Sequence, residues 1–224
     1  MKICVVIPAY NEAKTIGPLV ESIKKKGLDV FVIDDGSKDN CGVIAKSKGA
    51  DVLRLDPNQG KGNALKCGFK YALEKGYDGV IMMDSDGQHD VEDLDHFIAY
   101  SKEFPLSVIT GNRMTNTKEM PRVRYLTNRF MSSLISLACR NSIADTQCGY
   151  RDISCDVLKN LHLTCADFEI ETEILMKCSK KNFKVYSVSV KTIYQDEKSH
   201  INPLKDTIRF FVYFLKEIFS SKEK

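Results

Sequence analysis

Two carboxylates one residue apart, Asp84 and Asp86, stand just beyond an apolar run, Gly79-Val80-Ile81-Met82-Met83. A buried strand that carries Asp-x-Asp to its end offers hard oxygen ligands to Mg²⁺ or Mn²⁺. Such an ion keeps its other positions for water and phosphate oxygens. Alone, the same pattern also fits a solvated acidic turn. Gln88 follows two residues later and adds an amide oxygen, so Asp84, Asp86 and Gln88 form a candidate metal set. Further chemistry-bearing clusters recur along the chain: Pro8-Ala9-Tyr10-Asn11-Glu12, Asp34-Asp35-Gly36-Ser37, Asn58-Gln59-Gly60-Lys61-Gly62-Asn63 and Thr110-Gly111-Asn112-Arg113. Tyr10 offers a ring for stacking, and Glu12 and Asp35 accept hydrogen bonds from base or ribose donors. Arg113 is a second cation for phosphate, and Lys61, between two glycines at a helix start, is a further one. Gly60-Lys61-Gly62 departs from a Walker loop, which needs four residues between its glycines and then Lys-Ser or Lys-Thr.

Each cluster follows an element able to position it. Strand patterns at Lys2 to Pro8, Val30 to Asp34, Asp51 to Leu55, Gly79 to Met83 and Ser107 to Gly111 alternate with helix patterns. Those helices run from Thr15 to Lys26, Asp39 to Lys48, Gly62 to Lys75 and Val91 to Glu103, with Leu19, Val20 and Ile23 facing inward on the first and Val43, Ile44 and Ser47 on the second. This alternation predicts an α/β fold, a mostly parallel central sheet flanked by helices. Ligands bind such sheets outside the carboxyl ends of the strands, where the polar clusters fall. Beyond Gly111 the spacing predicts helices over Tyr125 to Cys139, with Leu126, Phe130, Leu134 and Leu137 on one side, and over Phe168 to Lys181. It predicts a strand over Phe183 to Ile193 and a last helix opened by Pro203.

The whole chain narrows the classes. Its 224 residues suit one domain, and 43% hydrophobic with 28% charged residues is a globular balance. A formal charge of +3 gives no ground for a nucleic-acid partner. Eight scattered cysteines with no Cys-x-x-Cys pair predict reduced thiols in a cytoplasmic setting and no zinc site. The N-terminal apolar run is short and reads as a strand, not a signal peptide. Nowhere do about 18 apolar residues run together, so no membrane span is expected.

In their order along the chain, the clusters ending at Glu12, Ser37, Gly62 and Asp86 resemble those of the inverting family 2 glycosyltransferases of GT-A fold. Gln88, Gly111-Asn112-Arg113 and Asp145-Thr146-Gln147-Cys148-Gly149-Tyr150-Arg151 narrow the resemblance to dolichyl-phosphate mannose synthases and bacterial polyprenyl-phosphate glycosyltransferases. The resemblance implies transfer of one sugar, with inversion, from a nucleotide-diphosphate sugar (GDP-mannose or a UDP-hexose) to a polyprenyl phosphate, with Mg²⁺ or Mn²⁺ as cofactor. It implies that Asp86, Arg113 and Asp145 are catalytic. Pro8, Tyr10, Glu12, Ile33, Asp35, Lys61, Asp84, Ser85, Gln147 and Arg151 would bind the donor, and Arg122, Arg124, Asn128, Arg129 and His200 the acceptor. Asp145 also fits a structural helix cap. Where the mannose synthases carry basic residues in a late loop, this chain has Tyr194 and His200, which weakens the case for GDP-mannose in particular. The processive Gln-x-x-Arg-Trp pattern is absent from a chain without tryptophan, which favours single-sugar transfer. An acceptor hydroxyl, or a catalytically silent nucleotide-sugar binding protein, would use the same fold.

Domain boundaries follow from this reading: a catalytic domain over 1–202 and an amphipathic helix over 203–224. Ile208, Phe211, Val212, Leu215, Ile218 and Phe219 form one stripe of that helix, and Phe210 and Phe214 a second ridge. The stripe fits a helix packed on the domain, one lying in a membrane surface with Lys205, Arg209 and Lys216 near head groups, or one docking a membrane-spanning partner. A lipid acceptor implies a peripheral protein at the cytoplasmic face of a membrane.

Overall fold

The computed structural model describes residues 1–118, 120–193 and 203–220, and for residues 203–207 and 220 the backbone alone. Tyr194 and His200 lie outside the described residues. The strands are β1 (Ile3–Ala9), β2 (Asp29–Asp34), β3 (Asp51–Arg54), β4 (Gly79–Met82), β5 (Ser107–Asn112), β6 (Arg151–Ser154) and β7 (Lys184–Ser189). They form one seven-stranded sheet in the order β3-β2-β1-β4-β6-β5-β7. Only β6 runs against its neighbours, so the other six strands end at one edge.

β1 is buried along its whole length, as expected of a parallel strand covered on both faces. Its alternate residues divide between two apolar layers. Cys4 and Val6 join Leu65 and Phe69 of α3 (Lys61–Glu74) on one side. Ile3, Val5 and Ile7 join Leu19, Val20 and Ile23 of α1 (Ile16–Lys25) and Leu94 and Phe97 of α4 (Leu94–Glu103) on the other. The chain builds outward from β1 through β2 to β3, then returns to β4 on the opposite side of β1. That reversal opens the crevice in which open α/β sheets hold ligands.

Some inward faces differ from expectation. In α2 (Cys41–Ser47) the buried residues are Cys41, Gly42 and Ala45, whereas Val43 is 69% exposed and Ser47 is exposed. Close approach explains this: a Cβ at Gly42 would lie 2.6 Å from Asp34 Oδ2, so the small-residue face must turn inward. α5 (Arg122–Cys139) starts a turn earlier than its apolar spacing implied and buries Asn128, Met131, Ser132, Ile135 and Cys139. Its apolar residues Leu126, Phe130 and Leu137 are exposed. α6 (Cys155–Asn160) and the antiparallel β6 were not anticipated, and β7 is shorter than the Phe183 to Ile193 pattern. α8 (Pro203–Ser220) lies against α7 (Ile170–Lys180) through Phe210 and Phe214, the second ridge, while Ile208, Val212, Leu215 and Phe219 are exposed.

β6 also buries Asp152, 2% exposed, which accepts a short hydrogen bond from Ser101 Oγ and whose Oδ1 has no partner among the described residues. Burial pushes its carboxyl up to about 7. A folded-state value raised above the unfolded one gives stability that is full below pH 4 and is lost as pH rises through about 7. Asp152→Asn removes this loss. Its stability relative to the parent should therefore rise between pH 5 and pH 8 by about 2 kcal/mol, measured by urea melts across that range.

Candidate active site

The loops after β1, β2 and β4 are tied to one another before any ligand is considered. Asn11, at φ +58, donates its N–H to Ser37 Oγ at 2.9 Å, and its Oδ1 accepts from the Lys38 N–H at 2.8 Å. Thr15 Oγ1 donates to the Ser85 carbonyl at 2.7 Å, joining the start of α1 to the Asp-x-Asp turn. Asp35 is buried, and its two oxygens accept from the Gln59 and Gly60 N–H groups at 2.8 and 2.9 Å. It therefore staples the loop before α3. Ile33 and Pro8 are buried within the strands, and Ile33 packs in the α3-side core. Tyr10 and Glu12 sit half-buried at the end of β1.

Asp84, Ser85, Asp86 and Gln88 occupy the turn after β4, at the reversal point. Asp86 Oδ1 accepts the Gln88 N–H at 3.0 Å, and the Gln88 carbonyl accepts from Ile193 N–H at 3.0 Å, so the turn is held from within and from the chain after β7. Asp84 N–H donates to His89 Nδ1 at 3.2 Å, which places the imidazole proton on Nε2, 3.8 Å from Asp84 Oδ2. His89 stacks on Tyr150 with centroids 4.7 Å apart, and burial pushes its pKa down. It is thus a neutral support for the turn.

Charge separates the two carboxylates. Burial alone would raise Asp84, but the Lys61 ammonium at 2.5 Å, helped by Arg113, holds it well below the usual carboxylate range. Asp86 is raised, by burial and by the neighbouring Asp84 charge. A bound dication would relieve that repulsion. Among the described residues no three or more His, Cys, Asp or Glu side chains converge as a metal cage. Two carboxylates and the Gln88 amide instead fit an ion that takes the rest of its shell from water and a diphosphate. Gly149 keeps this face open, because a Cβ there would lie 2.6 Å from Asp84 Oδ2 and 3.1 Å from Glu171 Oε1. Gly149→Ala must therefore displace Asp84. It is expected to lower kcat about 10²-fold while leaving the melting temperature near that of the parent.

Behind the turn, Arg113 and Asp145 form a bidentate pair, Nε to Oδ2 at 2.7 Å and Nη2 to Oδ1 at 3.0 Å. Asp145 is fully buried and also accepts N–H bonds from Arg113 and Gln147. Although burial opposes it, the Arg113 charge holds this carboxyl below its ordinary range. Gln147 is half-buried beside it. Arg151 is completely buried and donates to the carbonyls of Cys148, Glu171 and Thr146, so it braces the motif from below. Asn128 is 7% exposed on α5, and its Nδ2 has no partner among the described residues. Arg122 and Arg129 are exposed on the same helix, with Arg124 half-buried.

Two residues were missed. Glu171 Oε1 accepts from Lys61 Nζ at 2.7 Å across 110 positions of sequence. In sequence it looks like an ordinary acid near a helix start, and only the fold brings it to Asp84. His89, directly after Gln88, carried a local signal that could have marked it.

A seven-stranded sheet whose strand order reverses at β1 and β4, an Asp-x-Asp turn at that reversal and a buried arginine–aspartate pair behind it define a GT-A type sugar-nucleotide transferase. The model for "Glycosyl transferase family 2" matches residues 4–161, and the chain belongs to that family and is a glycosyltransferase. It is 31% identical to the UDP-N-acetylglucosamine–dolichyl-phosphate N-acetylglucosaminyltransferase of Methanococcus voltae, over 87% of this chain and 86% of that protein. It is 30% identical to the undecaprenyl-phosphate mannosyltransferase of Micrococcus luteus, over 73% of this chain and 70% of that one. In fold it is similar to glucosyl-3-phosphoglycerate synthase from Mycobacterium tuberculosis, solved with Mn²⁺, UDP and phosphoglyceric acid, with TM-score 0.71 and 20% identity over 98% of this chain and 78% of that one.

Proposed function

We infer that the protein transfers one hexose, with inversion, from a nucleotide-diphosphate sugar to a polyprenyl phosphate. One observation favours a phosphate over a hydroxyl acceptor. A hydroxyl needs a protein base, and Asp145, the carboxylate that the resemblance places among the catalytic residues, has both oxygens engaged by Arg113 and is fully buried. A phosphate monoester needs none, since its second proton leaves at about pH 6. Two relatives named for dolichyl or undecaprenyl phosphate support the same reading.

In this mechanism a phosphate oxygen attacks the anomeric carbon from the face opposite the leaving group. The new O–C bond forms as the bond to the nucleotide diphosphate breaks, and the diphosphate leaves with the bonding pair. Asp145 fixes the Arg113 guanidinium so that it faces phosphate without reorganising. Lys61 brings a second cation to the diphosphate side. Mg²⁺ or Mn²⁺ at Asp84, Asp86 and Gln88 would neutralise charge developing on the leaving diphosphate. The Asn128 amide, whose Nδ2 has no partner among the described residues and which lies on the helix that also carries Arg122, Arg124 and Arg129, is assigned to the acceptor.

A peripheral membrane position follows from the acceptor and is supported by the surface. No helix among the described residues is long and apolar enough to cross a membrane. Val123, Leu126, Phe130 and Leu137 of α5 and Ile208, Val212 and Leu215 of α8 are nevertheless each at least 50% exposed. Apolar faces beside basic residues suit an anionic bilayer surface. The double change Ile208→Glu and Val212→Glu leaves the buried Phe210 and Phe214 in place. It is expected to cut co-sedimentation with anionic liposomes about tenfold, with melting unchanged. Transfer itself is tested by extracting labelled lipid after incubation with nucleotide sugars and polyprenyl phosphate.

A further inference from the structure

Lys61 is held unusually firmly for a lysine at a metal-side carboxylate. It is the first residue of α3, where a positive charge opposes the helix dipole, and it is only 14% exposed. Its backbone is clamped on both sides. A Cβ at Gly60, which has φ +92, would meet Asp167 Oδ1 at 2.5 Å, one at Gly62 would meet the Ala166–Cys165 backbone at 2.7 Å, and Asn63 N–H donates to the Ala166 carbonyl at 3.1 Å. From this seat Nζ reaches Asp84 Oδ1 at 2.5 Å and Glu171 Oε1 at 2.7 Å, and lies 5.3 Å from the centre of the Phe168 ring. Asp84 Oδ2 faces His89 Nε2 at 3.8 Å and the Gly149 backbone. A dication approaching Asp84 therefore meets a carboxylate whose Oδ1 already carries an ammonium.

We propose that Lys61 is a gate on the metal site: it holds Asp84 in the nucleotide-free protein, and the diphosphate draws it away, so that metal and donor bind as a coupled pair. This rests on the assignment of Asp84, Asp86 and Gln88 as the metal grip. Glu171 makes the exchange feasible, because Lys61 keeps one carboxylate partner when it releases the other. Diphosphate oxygens replace the Asp84 contact, and Asp84 becomes available to the ion. By linkage, the factor by which nucleotide tightens the ion equals the factor by which the ion tightens nucleotide.

The test is Mn²⁺ binding to the full chain, read from the electron paramagnetic resonance signal of free Mn²⁺, alone and with UDP or GDP. The parent should bind Mn²⁺ weakly alone and more tightly with nucleotide. Lys61→Met should bind Mn²⁺ alone about tenfold more tightly, the scale of a partly screened charge contact, and the enhancement by nucleotide should shrink. Unchanged or weaker Mn²⁺ binding by Lys61→Met without nucleotide overturns the gate. Should that variant fold poorly, Lys61→Met with Glu171→Gln, which removes both charges, is compared with Glu171→Gln alone and should show the same gain. Asp86→Asn separates the two levels. If nucleotide-supported Mn²⁺ binding survives that change, the metal assignment falls and the gate with it. If it is lost while Lys61→Met shows no gain, only the gate falls.

Discussion

Asp86→Ala is expected to lose about 10³-fold in kcat/KM and to lose the metal-supported part of nucleotide binding, while melting close to the parent. Asp86 is half-exposed in a turn, and among the described residues its hydrogen bond comes from the Gln88 N–H. Little of the fold depends on it. Its carboxyl is raised by burial and by Asp84, a repulsion that a bound cation would relieve. Removing it lowers local repulsion and leaves stability unchanged or slightly higher. The combination is diagnostic, since a structural carboxylate would show the reverse: activity retained and the melting temperature lowered. Isothermal titration of UDP and GDP with and without Mn²⁺, beside a thermal melt, separates the two. A variant with parental transfer in Mg²⁺ or Mn²⁺ would remove the metal assignment.

Arg151→Met should cost about 3–5 kcal/mol of stability, the largest effect expected of any single change away from the Asp-x-Asp turn. The guanidinium is fully buried, and its three described bonds run to main-chain carbonyls at 2.8, 2.5 and 2.7 Å. Those carbonyls belong to Cys148, Glu171 and Thr146, three parts of the site wall. Methionine fills part of the volume and removes the guanidinium donor from the Cys148 and Thr146 carbonyls, while the Glu171 carbonyl, inside α7, keeps its helical partner. Loss of Arg151 also loosens the turn that carries Asp145 and Gly149, so activity should fall with stability. Chemical denaturation measures the first effect. A lysine at 151 should recover less than half of it, because one ammonium cannot reproduce the planar fork.

The strand-end clusters were legible in sequence because a parallel sheet sends every carboxyl end to one edge. Once the first strands were placed, Asp35, Asp84 and Arg113 had to converge there. Their roles were less legible. Asp35 and Arg151 have the residue types of ligand contacts, and the structure adds work that the sequence did not show: one staples the Gln59–Gly60 backbone and the other braces three carbonyls. Residue type does not say which partner a side chain meets. Glu171 was invisible for a different reason, since its partner Lys61 is 110 positions away. α5 shows a limit of periodicity: its apolar side was read correctly as a stripe, but the structure turns Asn128 and Ser132 inward and leaves Leu126 and Phe130 at the surface. Spacing identifies a face and cannot say whether protein or lipid covers it.

With Asp145 committed to Arg113 through both oxygens, the proposed transfer calls for an acceptor that is already an anion. The direct measurement incubates the full chain and Mn²⁺ or Mg²⁺ with a panel of radiolabelled UDP- and GDP-sugars. Each is offered polyprenyl phosphate, the matching unphosphorylated polyprenol, or no lipid. The mechanism predicts label in the organic phase with polyprenyl phosphate and one of the donors, and none with the polyprenol. Transfer to the polyprenol, or no lipid product from any donor, would contradict it.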